Sequence, residues 1–527
     1  MKNLILFFVF CTYCVCAWGQ IKVVQRTELE INKKVGENYK VLNLEENGML
    51  VFVESEEYLK GGRKEIILSK FDTTLQQQWM RAISIDYSSR VGLHYQDSDY
   101  LYLLINKEDK EYDILKIHIH GGLIIPIKYE KIVKMEITHF AAIDNVLLFG
   151  GSVDGRPVVI HHDYINGKPK VLPAINMLKA SINRLDICKN DKSIFVLLTP
   201  TTNKKKESFY YNIFDIDGKL LNNTAVPYEK DYILYTFQPY LISQNEWYLF
   251  GMYSLLAKDK AQGIYVTHIV NNAQEFIKFY DFIYFKNFFN YLAKRKDKVL
   301  SKIKGQRDEG NIYKHDYNFV VRELKILEDK ILLLADSYTP IYRDGINQGF
   351  NVNPMFLSAM NMSYRSLTNI NDFMRSPSSS RSPVGYRYRH GIVCAFDKAG
   401  RLLWDNSLEY KDLESHLEVV PQLHVNMGRD SLTLLNFQDG KVFYKRTDKS
   451  MTVEEIKEIE IPLKEEANKL ISDRDREAVM SWYGDYFILY GMQQLKAGSS
   501  GNSRKVFYLS KLAYFPPKLE EREKKAD

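Results

Sequence analysis

The sequence predicts an all-β fold closed into a ring of repeated units, a β-propeller, and three observations predict it. A nearly all-apolar, strand-like run recurs eight times along the 527 residues, each followed a strand later by a second run and a tight polar turn. Most neighbouring copies lie about fifty residues apart, the spacing of one propeller blade. Aromatic residues make up 13% of the chain, with 36 Tyr and 28 Phe against 15 Pro, which suits pleated, half-buried strands.

The repeated run is read as the second strand of each unit: Met49–Glu54, Tyr100–Ile105, Asn145–Gly150, Ile194–Leu198, Trp247–Gly251, Lys330–Ala335, Ser431–Leu435 and Asp485–Gly491. Third strands follow, from Ile67–Asp72 in the first unit to Ile392–Asp397 in the sixth and Val506–Leu512 in the last. Gly, Asn and Asp at the corners permit the positive backbone angles of tight hairpins. A four-stranded unit exposes two apolar faces, and only neighbours in a closed ring cover both. The last unit lacks a fourth strand before Pro516 and Pro517, while Ile21–Ile31 alternates like a strand ahead of the first complete unit. The N-terminal strand is therefore expected to complete the last blade. The expected count is eight blades, with seven as the alternative.

Composition bounds the function classes. A net charge of +6 over this length gives no nucleic-acid signature. Residues 1–19 read as a signal peptide, with Lys2, an apolar stretch from Leu4 to Trp18 and small residues near Gly19; a membrane anchor fits less well, because the stretch is short. The propeller is expected over 20–517 and a charged tail over 518–527. Three of the five cysteines fall within the leader, and Cys188 and Cys394 are expected as buried free thiols. The expected location is exported: the periplasm, the outer-membrane periphery or outside the cell.

Two departures from the period carry the candidate site. Segment 281–311 reads as an inserted amphipathic helix, with Phe285, Phe288, Phe289, Leu292, Val299, Leu300 and Ile303 at helical spacing. Between Lys286 and Arg307, eight basic residues face Asp297 alone, a surplus of seven that exceeds the whole chain's +6. Segment 340–390 reads as a long inserted loop containing Arg343, Arg365, Arg375 and Arg381 and closing on Tyr386-Arg387-Tyr388-Arg389-His390. In an antiparallel blade, the connection between blades and the connection from strand two to strand three leave from one face. Both insertions should therefore rise together.

Arginine forks suit carboxylates and phosphates, and tyrosine adds stacking area. The expected binding residues are Lys294, Arg295, Lys298, Lys302, Tyr386, Arg387, Tyr388 and Arg389. The helix also suits peripheral membrane contact, its phenylalanines in lipid; the plainer account packs them on the propeller. The Tyr–Arg cluster serves equally as a tie between loop and blade. His118 with His120, and His161-His162-Asp163, supply only part of a metal shell, so no metal is assigned. Asp215, Asp217 and Asp397 sit where turn stabilisation outranks catalysis.

The segment Ala395-Phe-Asp-Lys-Ala-Gly-Arg-Leu-Leu-Trp404 is similar to the repeats of quinoprotein-type and WD-like propellers, and the chain resembles secreted bacterial proteins of that architecture. Quinoprotein dehydrogenases use a tryptophan-rich repeat and often vicinal cysteines against the cofactor; this chain has five Trp and no vicinal pair. No cofactor is therefore expected. The expected function is non-catalytic binding or scaffolding in the bacterial envelope, docking a protein partner or an anionic surface polymer. The alternative is a polysaccharide-acting enzyme with its site at the propeller centre, an analogy resting on fold.

Overall fold

A computed structural model describes residues 20–516 apart from 32–38, 108–111, 128, 130–132, 176–179, 201–208, 227–231, 256–259, 343–382, 416–418, 429–430, 464–467, 473–476, 498–500 and 502. The leader and the charged tail lie outside the described residues. The strands form eight antiparallel sheets, each built of neighbouring chain segments in sequence order except one. These are the eight blades, numbered 1 to 8 along the chain. Blade 6 is typical, with Asn318–Leu327, Lys330–Ile341, Gly385–Phe396 and Leu402–Glu409 running from the first, inner strand to the fourth, outer one.

The exception is blade 8. Its fourth strand is Gln20–Glu30, paired antiparallel with Ser503–Phe515 from Gln20 opposite Phe515 to Glu30 opposite Val506. The expected closure by the N-terminal strand and the expected eight blades are both present.

The apolar second strands follow from burial on both faces. In blade 2, Leu101, Leu103 and Ile105 enter the core shared with blade 1. Tyr102 and Leu104 enter the core shared with blade 3. Successive side chains point to opposite faces, so a sheet covered on both sides must be apolar at every position. Each of the eight interfaces between blades has its own buried cluster. The one that seals the ring joins Met49, Val51 and Phe71 of blade 1 to Trp482, Ile488, Phe507 and Leu509 of blade 8.

The repeated polar turn has one construction. Asp397 accepts the Arg401 N–H at 2.7 Å, Asp215 the Lys219 N–H at 2.8 Å and Asp72 the Gln76 N–H at 3.0 Å. The residue before each donor has positive φ: Gly400 at 69°, Gly218 at 72° and Leu75 at 55°. Glycine takes that conformation without strain, and at Gly400 a Cβ would also meet the Phe276 ring at 2.5 Å. These carboxylates are turn builders, as the sequence implies.

The closing strand is held by more than its ladder. The Arg26 guanidinium lies 4.1 Å over the Tyr508 ring, pairs with Glu28 at 3.0 Å and donates to Gln493 at 2.7 Å. Glu28 also pairs with Arg504 at 3.0 Å, and Thr27 donates to the Leu75 carbonyl of blade 1 at 2.9 Å. The Arg26 and Glu28 side chains are only 4% and 2% exposed, so removing one leaves charge buried beside it. Arg26→Ala should destabilise the protein by about 3 kcal/mol in urea unfolding. Glu30→Ala, whose carboxylate is 76% exposed, should cost under about 0.5 kcal/mol. Equal effects would show that the buried pair does not hold the closure.

Candidate binding surface and central cavity

The insertion after blade 5 is not one continuous helix. Asp281 caps a short 3-10 turn over Phe282–Tyr284, a second 3-10 stretch covers Phe288–Arg295, and the α-helix, α1, begins only at Lys296 and ends at Asp308. Ala293, at φ 48°, breaks the path between them. The physical reason is the core beneath it. Phe282, Phe285, Phe288 and Phe289 are all buried in the cluster between blades 5 and 6, and a straight helix cannot turn adjacent phenylalanines into one wedge. Phe282 stacks on Phe288 at 4.2 Å, and Phe288 meets the edge of His390 at 4.9 Å. These rings lie inside the fold, where the packing account puts them.

Polar contacts fix the wedge to blade 6. The Asp405 carboxylate accepts the backbone N–H groups of Lys286 at 2.8 Å and Asn287 at 2.7 Å. The Asn287 side chain donates to the carbonyls of Asp405 and Ser450, reaching blade 7. Burial raises Asp405 above its ordinary value, and the two N–H donors oppose that shift. Tyr291 stacks on His390 at 4.4 Å and shares a 2.7 Å hydrogen bond with Tyr317. Burial, with Arg389 adding to it, pushes His390 down to about 3, so the imidazole under Tyr291 is neutral.

On this base the end of the second 3-10 stretch and α1 display charge. Lys294, Arg295, Lys298, Lys302, Lys304 and Arg307 are exposed, and Lys298 and Lys302 sit one turn apart on the same side. Among the described residues none of the six is in an ion pair. Asp297 lies in the first turn, and Asp308 and Glu309 close the far end. Only Ile303 of the helix is fully buried. The charged half of the expected site is thus a ridge mounted on a rigid aromatic wedge.

The tyrosine half is corrected. Tyr386 to His390 belong to the third strand of blade 6, Gly385–Phe396, and strand alternation turns Tyr386, Tyr388 and His390 inward. Tyr386 is 8% and Tyr388 2% exposed, in a small cluster with Tyr338, Leu413 and Val419. The Tyr388 hydroxyl both donates to the Val420 carbonyl and accepts its N–H, each at 2.8 Å. Neither ring can stack on a partner. Arg387 remains at the surface, paired with Glu414 at 2.6 Å, and Arg389 reaches Thr339 at 3.4 Å. Residues 343–382, with Arg343, Arg365, Arg375 and Arg381, lie outside the described residues. That connection leaves Ile341 and returns at Gly385, between the second and third strands, so strand order puts its ends on the same face as the insertion.

Beneath this face the second strand of blade 6 carries a buried carboxylate. Asp336 accepts the Tyr410 hydroxyl and the N–H groups of Gln422 at 2.8 Å and Leu423 at 3.1 Å. Of the histidines singled out from sequence, His161 and His162 are buried and His120 is exposed. His161 bonds the Ile216 carbonyl at 2.8 Å, and His118 packs edge-on against His120 at 5.7 Å. Cys188 and Cys394 are buried and unbridged.

A second feature escaped the sequence reading. The inner strands of blades 2 to 5 line a half-open central cavity of about 380 Å³, with Tyr95, His94, His139, Asp186 and Tyr240 among its walls. It extends to Lys189 and Asn190, in the turn between the first two strands of blade 4. That turn lies on the face opposite α1. Burial, helped by Lys40, pushes His94 down to about 4. Burial likewise brings His139 to about 4, opposed by a backbone hydrogen bond at Asn183. Burial raises Asp186, and Arg184 opposes the rise. Each residue stands alone in the first strand of a different repeat. Only superimposing the repeats would have brought them together.

Fold and surface define an eight-bladed β-propeller with a charged insertion on one face and a cavity reaching the other. No family profile and no curated protein sequence matches the chain. Among solved structures it is similar to polysaccharide lyase Uly1, at TM-score 0.39 and 7% identity over 93% of this chain and 99% of that one. It is also similar to the Dos1 propeller, at 0.38 and 8% over 81% and 92%. A third is apo AztD from Citrobacter koseri, at 0.35 and 8% over 80% and 86%. None of these similarities bears on what the chain binds.

Burial pushes Asp336 from 3.8 up to about 6 against its hydrogen bonds to Tyr410, Gln422 and Leu423. A folded value above the unfolded one means that the protonated carboxyl favours the fold. Its contribution is complete well below about pH 4 and is lost as pH rises through about 6. The stability of the parent relative to Asp336→Asn, which cannot titrate, should fall by about 2 kcal/mol between about pH 4 and pH 8. Urea melts of both proteins across that range check it, and a flat difference would refute the raised value.

Proposed function

We propose that this protein is a non-catalytic binding or scaffold protein of the bacterial envelope, which docks a protein partner or an anionic surface polymer through α1 and the two basic residues that lead into it. The observation that carries this reading is the ridge of Lys294, Arg295, Lys298 and Lys302, exposed and without ion-pair partners among the described residues. Unpaired surface charges are normally dispersed. Here a surplus is gathered on an insertion whose own packing, through Phe282, Phe285, Phe288 and Phe289, makes no use of it. Fixed charges on a rigid mount steer an oppositely charged partner and set its register. Arg387 and Arg389, on the outward side of their strand, flank the same face.

The leader-like segment 1–19 supports an exported location. The lining of the cavity includes one carboxylate, Asp186, whereas glycoside hydrolysis ordinarily takes two, which argues against a hydrolase there.

The test is copurification from native envelopes with the parent and with the Lys294→Glu, Arg295→Glu, Lys298→Glu, Lys302→Glu variant. All four side chains are exposed and only Lys302 nears a ring, Tyr313 at 6.0 Å, so the variant should fold and melt close to the parent. Partner recovery should drop at least about tenfold, and binding to the parent should weaken steeply as salt rises. Equal recovery by both proteins would sink the docking role of α1.

A further inference from the structure

We infer that the basic ridge takes a linear acidic polysaccharide, a chain of uronate rings, rather than a folded protein face. This rests on the docking reading of the ridge and narrows its partner. In α1, Lys298 and Lys302 stand on the side turned away from Val299, Leu300 and Ile303, which pack on the core between blades 5 and 6. The exposed Arg295 occupies the N-cap position, one turn before Lys298, and the exposed Lys294 precedes it. From Arg295 to Lys302 the cations follow a line, in steps of about one helical turn, about 5 Å. Asp297 and Asp308 lie about a quarter turn away, on one flank. A polyuronate carries one carboxylate per ring, and a ring with its linking oxygen is close to that step in length.

A protein face is the poorer match. The cores of protein interfaces are enriched in aromatics, Met and Arg and depleted in Lys, and a few buried anchors supply most of their binding energy. Three of the four ridge cations are lysines, and no exposed apolar side chain lies among them from 294 to 302. Lysine is a hydrated point charge on a flexible stem, suited to a chain read by its charge. Aromatic rings stand at the border of the ridge instead. The Lys302 ammonium lies 6.0 Å from the centre of the Tyr313 ring, and the Arg307 guanidinium 5.7 Å from that of Tyr284. Tyr284 is 60% exposed, although Phe282 and Phe285 on either side of it are buried. A cation beside an open ring matches a uronate, whose carboxylate meets the charge while its C–H face lies on the ring. A polyphosphate or a polyglutamate has no such face.

The experiment titrates the mature chain with polygalacturonate, alginate, polyglutamate, polyphosphate and neutral dextran, read by calorimetry at about 50 mM salt. We expect saturable binding of at least one polyuronate at a Kd of about 10 μM or tighter, weakened at least about tenfold at about 300 mM salt. The Lys294→Glu, Arg295→Glu, Lys298→Glu, Lys302→Glu variant should lose it. Tyr284→Ala should raise the polyuronate Kd at least about fivefold and leave that of polyphosphate unchanged, whereas Tyr284→Phe should bind as the parent does. The Tyr284 ring is exposed, so thermal melts of both substitutions should match the parent. Failure of both polyuronates to bind overturns the inference, as does equal or tighter binding of polyglutamate, polyphosphate or dextran, or a Tyr284→Ala variant that binds polyuronate unchanged. Copurification of an envelope protein that charge reversal abolishes would then leave the docking reading standing, so the two fail separately.

Discussion

Every blade of this protein is covered on both faces by its neighbours, and the structure depends on that mutual burial being continuous around the ring. A single four-stranded sheet with apolar side chains on both sides has no stable isolated form. Eight interfaces solve the problem only because the last meets the first, and the two interfaces of blade 8 join residues from opposite ends of the chain. Ile21 contributes to the core between blades 7 and 8, while Met49 and Phe71 contribute to the core between blades 8 and 1. The Arg26–Glu28–Arg504 network therefore secures the fold as a whole rather than one strand.

The inner strands add a polar stitch to this apolar seal. Arg184 of blade 4 donates to the Phe237 carbonyl at the start of blade 5 at 2.8 Å. Gln238 of blade 5 donates to the Arg322 carbonyl of blade 6, and Arg322 to the Leu423 carbonyl beside blade 7. Each bond runs to the next blade in chain order. Buried donors of this kind fix the relative position of neighbouring inner strands, because a shifted strand would strand a charge without its acceptor. Asp405 and Asn287 do the same for the insertion. The charged ridge of α1 is thereby attached to three blades without being part of their packing.

What was legible in the sequence follows from which strands are buried and how. Second strands such as Leu332–Leu334 and third strands such as Ile392–Phe396 are apolar throughout, because both faces are covered. First strands are polar toward the channel and carry register irregularities, between Val91 and His94 in blade 2, Ile137 and His139 in blade 3 and Ile182 and Arg184 in blade 4. A bulge breaks the alternation on which strand recognition rests. The cavity, built from these strands, was invisible for that reason. The basic ridge was legible because charge surplus needs no structure to be counted. Tyr386 and Tyr388 were misplaced because five residues alternating ring and cation read alike as a loop end or as a strand with one buried face. The boundary of α1 was misplaced because Phe282 to Phe289 keep helical spacing while following a wedge.

The pairing of Gln20 with Phe515 sets the two ends of the described chain side by side at one corner of blade 8. Tension applied across those ends would act perpendicular to the strands and open the ladder one rung at a time, beginning at its outermost bond. A ring held by eight shared cores is then mechanically soft in one direction. Anchoring only one end to a surface would keep that seam out of the path of any pull.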